Sequence, residues 1–202
     1  MYSQNKEEEV LLTYFKDFTG VLLDIGANDG KTFSNSLALI EKGWKAVLIE
    51  PSQSAFDKLE ALHYDNEKVD YYNIAIGTKD GKATFHNMGS HIGKGDTSLL
   101  STLVAGEMDR WKGTDFKDED VEVLTYATFM EEAPHEHFDF ITIDAEGMDL
   151  AILEQIDLTH TKAVCIEHNS KETEYLAMVA YCTKFGLNKI LLNNLENVIC
   201  AR

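Results

Sequence analysis

The stretch Val21-Leu22-Leu23-Asp24-Ile25-Gly26-Ala27-Asn28-Asp29-Gly30 decides how this chain is read. An apolar run carrying an acid is followed by two glycines four apart, and a helical pattern starts at Lys31-Thr32-Phe33. The segment therefore predicts strand, tight turn and helix. Asp24, near the carboxyl end of a buried strand, places a carboxylate in the crevice where open α/β sheets bind ligands. Gly26 and Gly30 admit positive φ and leave no Cβ between backbone and ligand. The following helix offers free N–H groups at its start.

A dinucleotide turn wants Gly-x-Gly-x-x-Gly, whose second glycine lets a pyrophosphate approach. Here that position is Asn28. An acid beside the turn also repels a pyrophosphate but suits a ligand bearing an ammonium group. The cofactor implied is S-adenosylmethionine (SAM), and NAD is disfavoured.

Working outward, Lys45-Ala46-Val47-Leu48-Ile49-Glu50 reads as the next strand, with Glu50 twenty residues past Gly30 and directly before Pro51. Pro51 stops ladder pairing. An acid at this place accepts hydrogen bonds from ribose hydroxyls in dinucleotide folds; by itself it would read equally well as a solvated strand end. Val69–Ile76 predicts a third strand, and Asn73 and Ala75 near its end would sit beside an adenine ring in a doubly wound sheet or equally be ordinary strand residues. Before these elements, residues 4–18 carry Leu11, Tyr14, Phe15 and Phe18 at helical spacing behind an acidic first turn. Thr32–Glu41 predicts a helix with Phe33, Leu37 and Ile40 on one face, and Ser52 is placed to cap another through Phe56, Leu59 and Leu62.

Lys79-Asp80-Gly81 predicts a hairpin turn into a strand over 82–86, which pairs with a strand resuming at Val121–Tyr126. The pattern fails from Asn87 to Asp120, as expected of a lid or substrate loop. Within it, Gly95-Asp96-Thr97-Ser98-Leu99-Leu100 is the substrate-facing candidate, with Thr97 and Ser98 as contacts.

A second informative stretch is Phe138–Asp149, where a buried strand delivers Asp144, followed by Glu146, Gly147 and Asp149. Three acids in six residues repel one another, and such a cluster persists most easily beside a cation: the cofactor's sulfonium and ammonium, a metal, or a protein base. The strand Ala163–Glu167 ends in Glu167-His168-Asn169, and a doubly wound order places that end beside Asp144 and Glu146. His168 sits at this predicted edge, and an imidazole there is a candidate general base, although a lone histidine is more often structural. A helix over 172–185 and two strands, 188–192 and 197–201, complete the chain as an antiparallel hairpin.

Composition bounds the rest. The chain has 202 residues, 44% of them apolar, enough for one core and one domain over 1–202. Its formal charge is −17, from 35 acids against 18 bases. That balance argues against a nucleic-acid partner or an anionic membrane surface. Cys165, Cys182 and Cys200 show no C-x-x-C spacing and read as buried thiols in a reducing compartment. With no signal-type apolar core at the amino terminus and no apolar run of spanning length, the expected location is the cytoplasm.

In the order and spacing of Asp24-Ile25-Gly26-Ala27-Asn28-Asp29-Gly30, Ile49-Glu50-Pro51, Asn73-Ile74-Ala75-Ile76-Gly77, Asp144-Ala145-Glu146-Gly147 and Ile166-Glu167-His168, the chain resembles the FkbM family of class I SAM-dependent methyltransferases, from about Val21 to Arg202. The resemblance implies an α/β fold. This is a doubly wound Rossmann-like sheet of seven mostly parallel strands in the order 3-2-1-4-5-7-6, with a C-terminal antiparallel hairpin and a small antiparallel insertion. It also implies methyl transfer, commonly to a hydroxyl of a sugar, glycan or natural product. By position, Asp24, Gly26, Asn28, Gly30, Glu50, Pro51, Asn73, Ala75, Ile76 and Asp144 would bind the cofactor. Asp144, Glu146, Glu167 and His168 would be catalytic, with Glu146 and His168 also facing the acceptor. A divalent ion such as Mg²⁺ on the acids remains open. Family members often carry Leu-Asp where this chain has Tyr126-Ala127, so an acid is missing at Ala127. A non-catalytic SAM-binding module and an NAD-dependent oxidoreductase are the alternatives.

Overall fold

The computed structural model describes residues 1–88, 101–111 and 116–202. Its central strands are short runs buried along nearly their whole length, as a sheet covered on both faces requires: β1 (Val21–Ile25) and β2 (Lys45–Ile49) come first, followed by β3 (Val69–Tyr72) at the sheet edge, buried only at Val69. Beyond them lie β4 (Ala75–Ile76), β5 (Gly81–Met88) and β6 (Phe116–Leu124), then β7 (Phe140–Ile143), β8 (Ala163–Glu167), β9 (Lys189–Asn193) and β10 (Asn197–Ala201). Seven strands form one sheet in the order β3-β2-β1-β7-β8-β10-β9. Counting only its own members along the chain, that is 3-2-1-4-5-7-6, with the terminal hairpin antiparallel. The expected α/β architecture is thus the observed one.

Helices cover both faces. On one, α1 (Glu7–Phe15), α2 (Leu37–Glu41) and α3 (Gln53–His63) pack Leu11, Phe15, Leu39 and Leu59 around Trp44 and Phe140. On the other, α4 (Tyr126–Glu132), α5 (Asp149–Leu153) and α6 (Glu172–Lys184) press Phe129, Ile152, Leu153 and Met178 onto the sheet. Cys165, Cys182 and Cys200 are buried free thiols.

Several elements differ from expectation. The helix after the glycine turn starts at Leu37, not Thr32, because side chains take the amides a helix would use. Asp29 Oδ1 accepts from the N–H of Lys31 (2.9 Å) and Thr32 (2.6 Å), and Ser34 Oγ from Ser36 (3.2 Å) and Leu37 (3.0 Å). Phe33 has φ 56° and is 39% exposed, so it does not join Leu37 and Ile40 on a buried face. Ser52 holds the position before α3 without capping it; its hydroxyl accepts from Asn87 Nδ2 at 2.9 Å. The predicted strand 69–76 breaks after Tyr72, and β4 joins a second sheet of order β4-β6-β5. The antiparallel pairing of β5 with β6 is as expected, but β6 separates β4 from β5, so Lys79-Asp80-Gly81 does not close a hairpin between them.

The strand expected to run to Tyr126 ends at Leu124. Thr125 caps α4 by accepting from the N–H of Thr128, and Asp80 accepts from Thr125 N (2.6 Å) and Thr128 Oγ1 (2.9 Å). Ala127 lies exposed in the first turn of α4 and is absent from the cavity lining among the described residues. Thr97 and Ser98 lie outside the described residues. Among those described, no helix is long and apolar enough to cross a membrane.

Candidate active site

The carboxyl ends of β1, β2, β7 and β8 open into one cavity of about 390 Å³. Its first half is built around β1. The N–H groups of Gly26 and Ala27 both donate to the Ile49 carbonyl, at 2.9 and 3.0 Å, which folds the turn over the end of β2. Gly26 has φ 88°, and a Cβ there would stand 1.8 Å from the Asp144 carbonyl oxygen. Only glycine lets the β1 turn lie this close to the end of β7.

Glu50 fastens the same turn. Its Oε2 accepts from Asn28 N at 2.9 Å and its Oε1 from Ser52 N at 2.8 Å. Burial pushes its pKa up to about 7, against those two amide bonds, with the charges of Asp24 and Glu119 adding to the rise. Asp24 Oδ2 accepts from Ser36 Oγ at 2.6 Å, and burial raises its pKa to about 6 against that bond. Asp24, Gly26, Asn28, Glu50, Pro51, Ala75 and Ile76 all line the cavity. Gly30 and Asn73 do not: Gly30 packs against Leu59, Leu62 and His63 of α3, and Asn73 Nδ2 donates to the carbonyls of Glu50 (2.9 Å) and Pro51 (3.1 Å). Both support the turn from behind rather than touching its contents.

The second half holds the acids. One carboxylate oxygen each from Asp144, Glu146 and Glu167 lies within 4.8 Å of the others. The Asp144 carboxylate opens into the cavity yet is enclosed by protein. That enclosure is the first cause of a pKa well above the usual carboxylate range, followed by the charges of Glu146, Asp149, Asp24 and Glu196. Asp149, the third acid of the predicted cluster, turns away to accept from Ala145 N (2.8 Å) and Gly147 N (3.1 Å), so it shapes the turn that presents Glu146. Thr102, from the 87–120 connector, donates its hydroxyl to the Glu146 carbonyl at 2.7 Å, and Ser101 and Leu103 line the cavity beside it.

His168 is buried and outside the lining. Its Nε2 meets Asn193 Oδ1 at 3.1 Å, its Nδ1 accepts from Ser170 N at 3.2 Å, and its ring lies edge-on to Tyr175. With both ring nitrogens engaged away from the cavity, it is not placed to face an acceptor or take a proton. Glu167, Asn169 and Ser170 line the cavity around it.

Sequence reading missed Glu7 and Glu196. Glu7 lay in an acidic first turn that reads as a helix-dipole partner, and Glu196 in a hairpin turn; only the packing of α1 against the β9–β10 turn brings both to the cavity. Among the described residues, seven carboxylates line it: Glu7, Asp24, Glu50, Asp144, Glu146, Glu167 and Glu196. No Lys, Arg or His does so among the described residues. Such a site favours a cationic ligand.

Compared with known families, residues 24–186 match the methyltransferase FkbM domain. The chain belongs to the FkbM methyltransferase family. No curated protein matches this FkbM chain. Among solved structures, the METTL16 MTase domain resembles it at TM-score 0.52 and 10% identity, over 96% of this chain and 63% of that one. The protein PH1948 from Pyrococcus horikoshii does so at TM-score 0.50 and 12% identity, over 98% and 84%. These likenesses concern the fold alone. The FkbM chain spans less than two thirds of the METTL16 domain's length.

Proposed function

We propose that this FkbM-family chain transfers the methyl group of SAM to a hydroxyl oxygen of a sugar, glycan or natural-product acceptor. The observation that carries the reading is the continuity of the cavity: the turn held by Glu50 and the acid group at Asp144 open into one space. SAM supplies an electrophilic methyl on a sulfonium. Asp24 and Asp144 provide negative charge for its cationic groups, and Glu50 retains lone pairs for ribose hydroxyls beyond its two amide bonds.

The reaction is an in-line displacement. The C–S bond breaks with its electrons going to sulfur as an oxygen lone pair forms the O–CH₃ bond. Holding the oxygen against the methyl carbon supplies most of the acceleration. Glu146 and Glu167 stand where the departing hydroxyl proton can be taken up. In a second route, Asp144, Glu146 and Glu167 would hold a divalent ion such as Mg²⁺ through their hard oxygen donors, and the ion would lower the hydroxyl pKa. Undiminished turnover after exhaustive chelation eliminates that route. The net charge of −17 fits a small-molecule or glycan acceptor better than a nucleic acid or membrane surface, and we place the chain in the cytoplasm as a single catalytic domain.

The test is calorimetric titration with SAM, S-adenosylhomocysteine (SAH) and NADH, beside an Asp24→Ala variant. Binding of both adenosyl ligands, lost in the variant, supports the reading. NADH binding alone turns the chain toward oxidoreduction. Tight SAM binding without methyl transfer to any sugar, glycan or natural-product hydroxyl turns it toward a non-catalytic module.

A further inference from the structure

Residues 2–8 do more than begin α1. Ser3 forms a parallel bridge with Phe33, in the loop that follows the glycine turn. Tyr2 N and Ser3 N both donate to Glu8, and the Tyr2 hydroxyl donates to Glu41 at 2.8 Å. On the far side, Gln4 Nε2 and Asn5 Nδ2 donate to the two carboxylate oxygens of Glu196, at 3.3 and 2.5 Å. The segment thus runs as a strap from the loop beside the glycine turn to the β9–β10 turn, and Gln4, Glu7, Glu196 and Asn197 line the cavity along it.

Glu7 is the knot. Fully buried, it takes Asn194 Nδ2 (2.8 Å) and Asn197 Nδ2 (3.0 Å) on Oε1 and Asn5 N (2.8 Å) on Oε2. One carboxylate therefore ties the strap to the hairpin turn. The turn in turn accepts the N–H groups of His168 (2.6 Å) and Asn169 (3.1 Å) at the Glu196 carbonyl, beside Glu167. Both tied segments lie outside residues 24–186, so this wall is added to the portion of the cavity that the family match supplies.

We propose that residues 2–8 are a strap closing one wall of the cavity over the adenosyl ligand, and that Glu7 is the positioning residue that holds it shut. The inference rests on the SAM reading of the site. A tethered wall slows ligand escape, because the strap must detach before that side opens. Glu7 acts through the strap and the turn rather than through the reacting atoms.

Glu7→Gln keeps the hairpin bonds and frees the start of the strap from the knot. The glutamine carbonyl still accepts from Asn194 and Asn197, while its NH₂ opposes the Asn5 N–H. In the full chain, hydrogen exchange at residues 2–5 is expected to speed up and SAH dissociation, followed by stopped flow, to rise about tenfold, equivalent to about 1.4 kcal/mol. Asn5→Ala, which removes one bond to Glu196 and leaves Glu7 in place, should move SAH dissociation the same way by less. Met178→Ala, a core truncation in the opposite layer, should lower Tm without changing SAH dissociation. Unchanged dissociation in a Glu7→Gln protein whose strap exchanges faster overturns the retaining role. Unchanged exchange overturns the knot itself. A wild-type chain that binds no SAH instead defeats the cofactor reading on which the inference stands.

Discussion

The two halves of the cavity are built on opposite principles. Around Glu50 and Asp24, every carboxylate is committed: Glu50 to the amides of Asn28 and Ser52, Asp24 to the Ser36 hydroxyl. Around Asp144, acids lie within 4.8 Å of one another, and burial first, then the charges of Glu146, Asp149, Asp24 and Glu196, push the Asp144 pKa upward. The first half is held in shape without a ligand by hydrogen bonds that partly offset the cost of burying Asp24 and Glu50. The second gives up stability that a cation would restore. Residues of the first half should therefore destabilise the protein when changed, and the acid at the centre of the second should stabilise it when neutralised.

The largest effect is expected from Gly26→Ala. A Cβ at 1.8 Å from the Asp144 carbonyl oxygen, at φ 88°, forces the ends of β1 and β7 apart. Denaturant unfolding should show a loss of about 3 kcal/mol or more, with SAH binding abolished; near wild-type stability would mean that the two strand ends are not locked together.

Next comes pH. Asp24 and Glu50 have folded pKa values of about 6 and about 7, above their ordinary values of 3.8 and 4.5. For acids raised on folding, the stabilisation is complete below the unfolded pKa and is lost as pH rises through the folded one. Between them the two groups contribute on the order of a few kcal/mol. The ligand-free protein should therefore melt higher at pH 5 than at pH 8. A Tm that climbs across this window would show that burial does not govern these carboxyls.

Asp144→Asn tests the other half. Relief of the cost of burying the charge and of like-charge repulsion, screened because the group opens into the cavity, should raise ligand-free stability by about 1 kcal/mol while SAH affinity and methyl transfer fall. A destabilised Asp144→Asn protein would erase the contrast between the halves. The smallest effect on ligand binding is expected from His168→Ala. It should lower Tm through the lost contacts with Asn193, Ser170 and Tyr175, yet leave calorimetric SAH affinity unchanged.

Legibility in the sequence cut across that division. Asp24, Gly26 and Glu50 were readable because strand ends in a parallel sheet are marked by apolar runs, and the turn that follows allows few residue types. Asp144, Glu146 and Glu167 were readable for the same reason, each lying at or just beyond the end of a buried strand. His168 sits one residue past such an end, but strand alternation turns its ring to the opposite side, where Asn193 holds it. The helix expected from Thr32 failed because Asp29 and Ser34 compete for its amides, a local effect that apolar periodicity does not register.

The sequence by itself determined the order of strands and helices, the glycine turn and the acids at the strand ends. These depend on neighbours within about ten residues and on the few ways a right-handed β-α-β unit can wind. The tertiary structure alone decided which acids face the cavity and which brace the backbone. Glu7 meets Asn194 and Asn197 across nearly the whole length of the chain, and Asp149 turns inward to its own loop while Glu146 turns outward. Such choices are settled by hydrogen-bond partners far apart in sequence, so no local pattern carries them.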